Sequence, residues 1–152
     1  MNLSLTNMTE PMTAKVKWVD GVKFLSESGT GHALLIEGPE SEGGEGLGVR
    51  PMELILMGLG GCTSFDILMM LKKSRQAVTD CVAEIRATRA DDIPSVFTSI
   101  HVHFTISGRG LKDSHVKRAV ELSSKKYCSA SIMLSRGGVE ISHGYEIIEV
   151  PA

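Results

Sequence analysis

Residues 51–76, PMELILMGLGGCTSFDILMMLKKSRQ, constrain this chain more than any other segment. Pro51 suits the first position of a helix, where its missing N–H costs nothing. Glu53 in the first turn, and Lys72, Lys73 and Arg75 at the far end, carry the signs that a helix dipole favours. As one helix the segment is about 39 Å long. Up to Met70 it is apolar on nearly every side, through Leu54, Ile55, Leu56, Met57, Leu59, Phe65, Ile67, Leu68 and Met69. A helix apolar all round must be covered all round. One chain of 152 residues rarely surrounds a helix this long, so a second copy is the economical cover. The longest apolar run, 54–62, contains Gly58, Gly60 and Gly61, so no uninterrupted stretch approaches the ~18 residues of a bilayer span and no membrane partner is expected.

Composition narrows the setting. Sixteen basic and eighteen acidic side chains leave a formal charge of −2, which offers a nucleic-acid backbone no attraction. Apolar residues make up 42% and charged residues 22%, a globular balance. Eight Met against seven aromatics predict an aliphatic, methionine-rich core. The first ten residues, MNLSLTNMTE, lack the basic and apolar segments of a secretory signal, so the expected compartment is the cytoplasm. Three cysteines there are not a disulfide framework. Residues 1–12 read as a flexible tail, and 13–152 as a single domain.

Around the helix the pattern is strand-like. Residues 15–19 alternate, Asp20-Gly21 signals a hairpin, and 22–27 and 33–36 supply two further strands. The glycine- and glutamate-rich stretch 38–51 is a long loop. After the helix come strands at 81–89 and 96–107. The second places Ile100, Val102, Phe104 and Ile106 on one face, and His101, His103 and Thr105 on the other. A helix over 112–127, a short second segment ended by Gly137-Gly138, and a final strand or hairpin over 139–150 complete the chain. The order βββ-α-ββ-α-β is α+β with antiparallel sheets.

Three glycines inside a helix cost about 1 kcal/mol each relative to alanine, which close approach by a neighbour would offset. Cys62 follows them, and Asp66 lies one turn on. A carboxylate in an apolar helix needs a partner or a purpose. Cys128 follows the second helix among Ser123, Ser124, Ser129 and Ser131, with Lys125 and Lys126 near enough in sequence to lower its pKa. Cys81 has no basic neighbour and reads as core filler. His101 and His103 lack an accompanying Cys-x-x-Cys or His-Glu-x-x-His pattern, so no metal is predicted. No phosphate loop or Gly-x-Ser-x-Gly elbow occurs, and no cofactor is predicted.

Pro51-x-Glu53-Leu54, the small-residue run ending in Gly61-Cys62, and Tyr127-Cys128-Ser129 after an amphipathic helix together resemble the OsmC/Ohr family of osmotically inducible and organic-hydroperoxide-resistance proteins, nearest its YhfA-like branch. The resemblance covers about residues 13–150. It implies an intertwined homodimer with the long helices at its centre, wrapped by sheets from both chains. It implies a peroxidatic Cys62, a resolving Cys128, and a dithiol or lipoyl reductant. Family peroxidases carry a carboxylate directly after the proline, where this chain has Met52 and then Glu53. They also hold the thiolate with an arginine from the N-terminal strands, whereas the first arginine here is Arg50. The candidate site is therefore Cys62, Cys128, Glu53 and Arg50, with Arg50 as the substitute charge. An unperturbed thiol is only roughly 3% ionised at pH 7, so the identity of that charge matters. Two functions follow: a thiol-dependent peroxidase acting on organic hydroperoxides, or a dimer of the same fold that binds an apolar small molecule and whose cysteines are not catalytic.

Overall fold

The computed structural model describes residues 10–152. Of the expected tail, residues 10–12 are exposed and the rest lies outside the described residues. The chain forms two compact units, the first running to Ile55 and the second from Leu56 to Ala152.

In the first unit, β1 (Ala14–Asp20), β2 (Lys23–Ser28) and β3 (Ala33–Glu37) form an antiparallel sheet in sequence order. Gly21 turns the first hairpin at φ +49°, a conformation that favours glycine. The long loop that follows is tied back to β3 by one side chain. The buried Glu37 carboxylate accepts hydrogen bonds from the backbone N–H groups of Glu45, Leu47 (2.7 Å) and Gly48 (2.9 Å). Those bonds, the Glu45 N–H first, outweigh burial and hold Glu37 below the ordinary carboxylate range. The unit ends in the first turn of α1 (Pro51–Lys73), where Glu53 Oε1 accepts the Arg50 N–H at 3.0 Å, half of a capping box.

The rest of α1 belongs to the second unit. Leu59, Thr63, Ile67 and Leu71, each four residues apart, are buried there together with Gly60. An added Cβ on Gly60 would stand 2.7 Å from Ile85 Cδ1, whereas Gly58 and Gly61 face open space. Met57, Phe65, Leu68 and Met69 remain exposed, so the helix is covered on one side only. α1 ends before the predicted Gln76. Arg75 adopts φ +58°, and the N–H groups of Arg75 and Gln76 bond to the Lys72 and Leu71 carbonyls, a Schellman close.

An 18-residue window of α1 reaches a mean hydropathy of 1.8, so by length and composition the helix is apolar enough to cross a membrane. Gly, Thr and Ser interrupt the apolar runs of α1 but barely lower its mean hydropathy. The core helix of a globular protein passes the same test, and here 28% of the window is buried within the chain, with Leu59, Ile67 and Leu71 fully so.

β4 (Ala77–Arg89) and β5 (Phe97–Arg109) pair antiparallel, and β5 is the central strand. Its predicted inner face, Ile100, Val102, Phe104 and Ile106, is fully buried. β6 (Glu140–Glu149) is a single strand that pairs with β5 in parallel, which corrects the all-antiparallel expectation. The physical reason is the connection: α2 (Asp113–Leu122), a π-helical turn (Ser123–Tyr127) and α3 (Ser129–Arg136) make the long crossover that parallel neighbours require.

Candidate functional site

The second unit brings together Cys62, Asp66 and Cys128. Their sulfur and carboxylate oxygen atoms all lie within 4.8 Å of one another. Cys62 and Asp66 share one face of α1, a helical turn apart. All three cysteines of the chain are free thiols.

Cys128 reaches the pair through an irregularity. The π turn at 123–127 ends the helical run, and Cys128, in an extended conformation, becomes the N-cap of α3. Its Sγ accepts the Ser131 N–H at 3.3 Å. Hydroxyl groups fix the two sides against each other. Buried Ser123 Oγ donates to the Thr63 carbonyl at 3.2 Å and lies 3.5 Å from Asp66 Oδ2. Thr63 Oγ1 in turn donates to the Leu59 carbonyl at 3.0 Å. The partner demanded by the Asp66 carboxylate is therefore Ser123, at the end of α2. Ser123 and Ser131 were legible as neighbours of Cys128. Thr63 escapes a sequence reading, and its signal is the Thr63-Ser64 pair of hydroxyls beside the cysteine in an apolar helix.

Burial dominates the electrostatics. It pushes the Cys128 thiol up to about 12, against the downward pull of the Ser131 N–H, and proximity to Cys62 adds to the rise. None of the principal influences is a cation. Lys125 and Lys126, expected to lower that thiol, are exposed and are not among those influences. Burial likewise raises Asp66, opposed only by the Ser123 hydroxyl. Cys81, on β4, stands outside this group. Its thiol is raised by burial and by Asp80, and a hydrogen bond with Ser64 opposes the rise.

Asp66 also opens onto a cleft of about 780 Å³. Phe65, Met69, Leu122 and Tyr127 supply apolar wall, and Lys73 and Arg118 supply positive charge. The other two predicted site residues, Arg50 and Glu53, belong to the first unit, where Glu53 caps the start of α1. His101 and His103 join no metal-ligand cluster among the described residues. His101 Nδ1 lies 2.7 Å from Ser142 Oγ, and His103 Nε2 lies 3.3 Å from Glu146 Oε1.

Comparison with known proteins extends this picture. Residues 43–144 match the family described as OsmC-like protein. The chain is 44% identical over 137 residues to Protein YhfA of Escherichia coli K12, spanning 90% of this chain and 98% of that one. A structural-genomics structure shares 42% identity at a TM-score of 0.82, covering 91% of this chain and all of its own. An organic hydroperoxide resistance protein from Legionella pneumophila superimposes at a TM-score of 0.69 with 20% identity, over 91% of this chain and 98% of that one, a likeness of fold.

Proposed function

The chain belongs to the OsmC-like protein family, and from that premise we propose that Cys62 and Cys128 reduce organic hydroperoxides. One observation carries the reading: two sulfurs 66 positions apart in sequence meet in one cluster no wider than 4.8 Å. In the first step the Cys62 thiolate attacks the terminal peroxide oxygen. The O–O bond breaks, the alkoxide takes up the proton that the Cys62 thiol released and leaves as the alcohol, and Cys62 becomes a sulfenic acid. Cys128 then attacks that sulfur, water leaves, and a disulfide forms. A dithiol or lipoyl reductant returns both thiols. Closing the disulfide needs the sulfurs to reach about 2.05 Å, a movement of no more than about 3 Å.

The cleft at Asp66, with Phe65, Met69, Leu122 and Tyr127 in its walls, supports an organic substrate over a small hydrophilic peroxide. Arg50 is retained as a proposed cation of the site, and Glu53 fixes the helix start that carries it. Titrating the Cys62 thiol in the wild type and in Arg50→Ala tests that part, because superimposable curves would remove Arg50. The exposed apolar side of α1 supports a homodimer as the working form.

The deciding experiment counts thiols. Reduced protein treated with one equivalent of cumene hydroperoxide should lose two of its three thiols, and the loss should require both Cys62 and Cys128. Retention of all three ends the proposal.

A second reading is favoured by a specific observation: burial holds Cys128 at about 12, and no cation is among the principal influences on it. Under that reading the chain is a non-catalytic dimer that binds an apolar small molecule in the cleft. A ligand that raises the melting temperature while leaving every thiol reduced would support it.

A further inference from the structure

We propose that the reduced cluster of Cys62, Asp66 and Cys128 is a binding site for a zinc-class divalent cation. The inference goes beyond the peroxidase reading and does not depend on it, because the metal would occupy the dithiol state whether or not that state meets a hydroperoxide.

The donor set has the right chemistry. Two thiolates and one carboxylate suit a borderline-soft dication such as Zn²⁺, and hard cations prefer all-oxygen shells. The geometry is compatible. Donors bound to one tetrahedral zinc at about 2.3 Å stand roughly 3.8 Å apart. The three atoms here already lie within 4.8 Å of one another, so contraction by about 1 Å completes the set. Cys62 and Asp66 are placed on one helix face at i and i+4, which fixes their relative position before a metal arrives.

The surroundings also fit. The Ser131 N–H points at Cys128 Sγ from the first turn of α3, and an N–H donor of this kind steadies a metal-bound thiolate. Ser123 Oγ, 3.5 Å from Asp66 Oδ2 and anchored on the Thr63 carbonyl, restrains the carboxylate. Three protein donors leave one coordination position for water or a small ligand. Of the three ligands, Asp66 lines the cleft, so the carboxylate is the accessible side of the site. The dication would supply a positive charge beside the buried Cys128 and half-buried Cys62 thiols. On binding, two metal–sulfur bonds and one metal–oxygen bond form, and the two thiol protons leave to water. No electrons are transferred. Metal-bound sulfurs are shielded from oxidants, and a disulfide between them would no longer bind, so occupancy would alternate with oxidation.

The probe is Co²⁺ added anaerobically to reduced, chelator-treated full-length protein. The expected result is a thiolate-to-cobalt charge-transfer band that saturates at one Co²⁺ per chain and is bleached by one equivalent of Zn²⁺. Cys62→Ser and Cys128→Ser should abolish the band, while Cys81→Ser keeps it. Asp66→Asn should weaken Co²⁺ binding by at least the roughly 10- to 100-fold typical of losing an outer-shell partner. Circular dichroism of each variant separates loss of ligand from loss of fold. For any serine variant that proves unfolded, the alanine variant at the same position replaces it and should also abolish the band. Folded wild-type protein with three titratable thiols and no band overturns the proposal. So does a band that survives loss of Cys62 or Cys128, or unchanged affinity in Asp66→Asn. Thiol counting with cumene hydroperoxide in the presence of chelator reads the peroxidase proposal separately, so the failure of either leaves the other standing.

Discussion

Glu37 in the first unit and Asp66 in the second are both carboxylates drawn out of water, and their protonation is pushed in opposite directions. Glu37 is wrapped by the N–H groups of Glu45, Leu47 and Gly48, so its charge is solvated by backbone and stays favoured. Asp66 has one hydroxyl at 3.5 Å and two sulfurs as company, so burial prevails and its proton is held more tightly. The difference separates architecture from chemistry. A carboxylate with every oxygen satisfied ties down a loop. One left short of donors, beside two thiols, is available to a proton or a metal.

Several substitutions break or sharpen this contrast. The largest expected effect is at the sulfurs. In either Cys62→Ser or Cys128→Ser, the two-thiol loss on hydroperoxide treatment should disappear, as read by reaction of the remaining thiols with a chromogenic reagent. Cys81→Ser should lose the same two thiols as the wild type.

Next comes Glu37→Ala, which leaves three backbone donors of the loop without their acceptor. Amide exchange at Glu45, Leu47 and Gly48 should rise towards the unprotected rate while β5 keeps its protection. Acid should do the same to the wild type. The folded value of Glu37 lies below the unfolded one, so its stabilisation is present at neutral pH and is lost as pH falls through the folded value.

Asp66→Asn should act with the reverse sign and more weakly. The folded chain holds the Asp66 proton more tightly than the unfolded chain does, so the ionised group destabilises the fold above its folded value. The variant should melt slightly higher than the wild type at neutral pH, and the gain should vanish in acid. A variant that melts lower at neutral pH would mean that the Ser123 contact outweighs burial.

The smallest effect concerns the glycines of α1. Gly58→Ala should gain up to about 1 kcal/mol of helix stability, because its Cβ meets nothing within the chain. Gly60→Ala should gain less or lose, because Ile85 Cδ1 must move aside. Denaturant unfolding of the two variants, compared at equal slope, checks the order.

Much of the architecture was legible in the residues. The alternation through Ile100, Val102, Phe104 and Ile106 marks the inner face of β5, and all four are fully buried. The helix beginning at Pro51 was equally plain, and the motifs around Cys62 and Cys128 were enough to suggest the family. What escaped was non-local. Strand alternation carries no direction, so the parallel pairing of β6 with β5 was not visible. A π turn has the same residue preferences as the helix it interrupts, so the device that delivers Cys128 was hidden. Sequence proximity suggested that Lys125 and Lys126 would act on that thiol, yet both side chains are exposed. Asp66 stood out as an anomaly, but that it shares a cluster with both sulfurs depends on three-dimensional contact.

The central claim is that the two clustered sulfurs act as one redox unit. Its most direct measurement is peptide mapping of the protein after a single equivalent of cumene hydroperoxide, under non-reducing conditions, with the cumyl alcohol product quantified. The account predicts one alcohol per chain and a linked pair of peptides containing Cys62 and Cys128, split by a dithiol. Intact separate peptides with no alcohol formed, or a linkage through Cys81 instead, would contradict it.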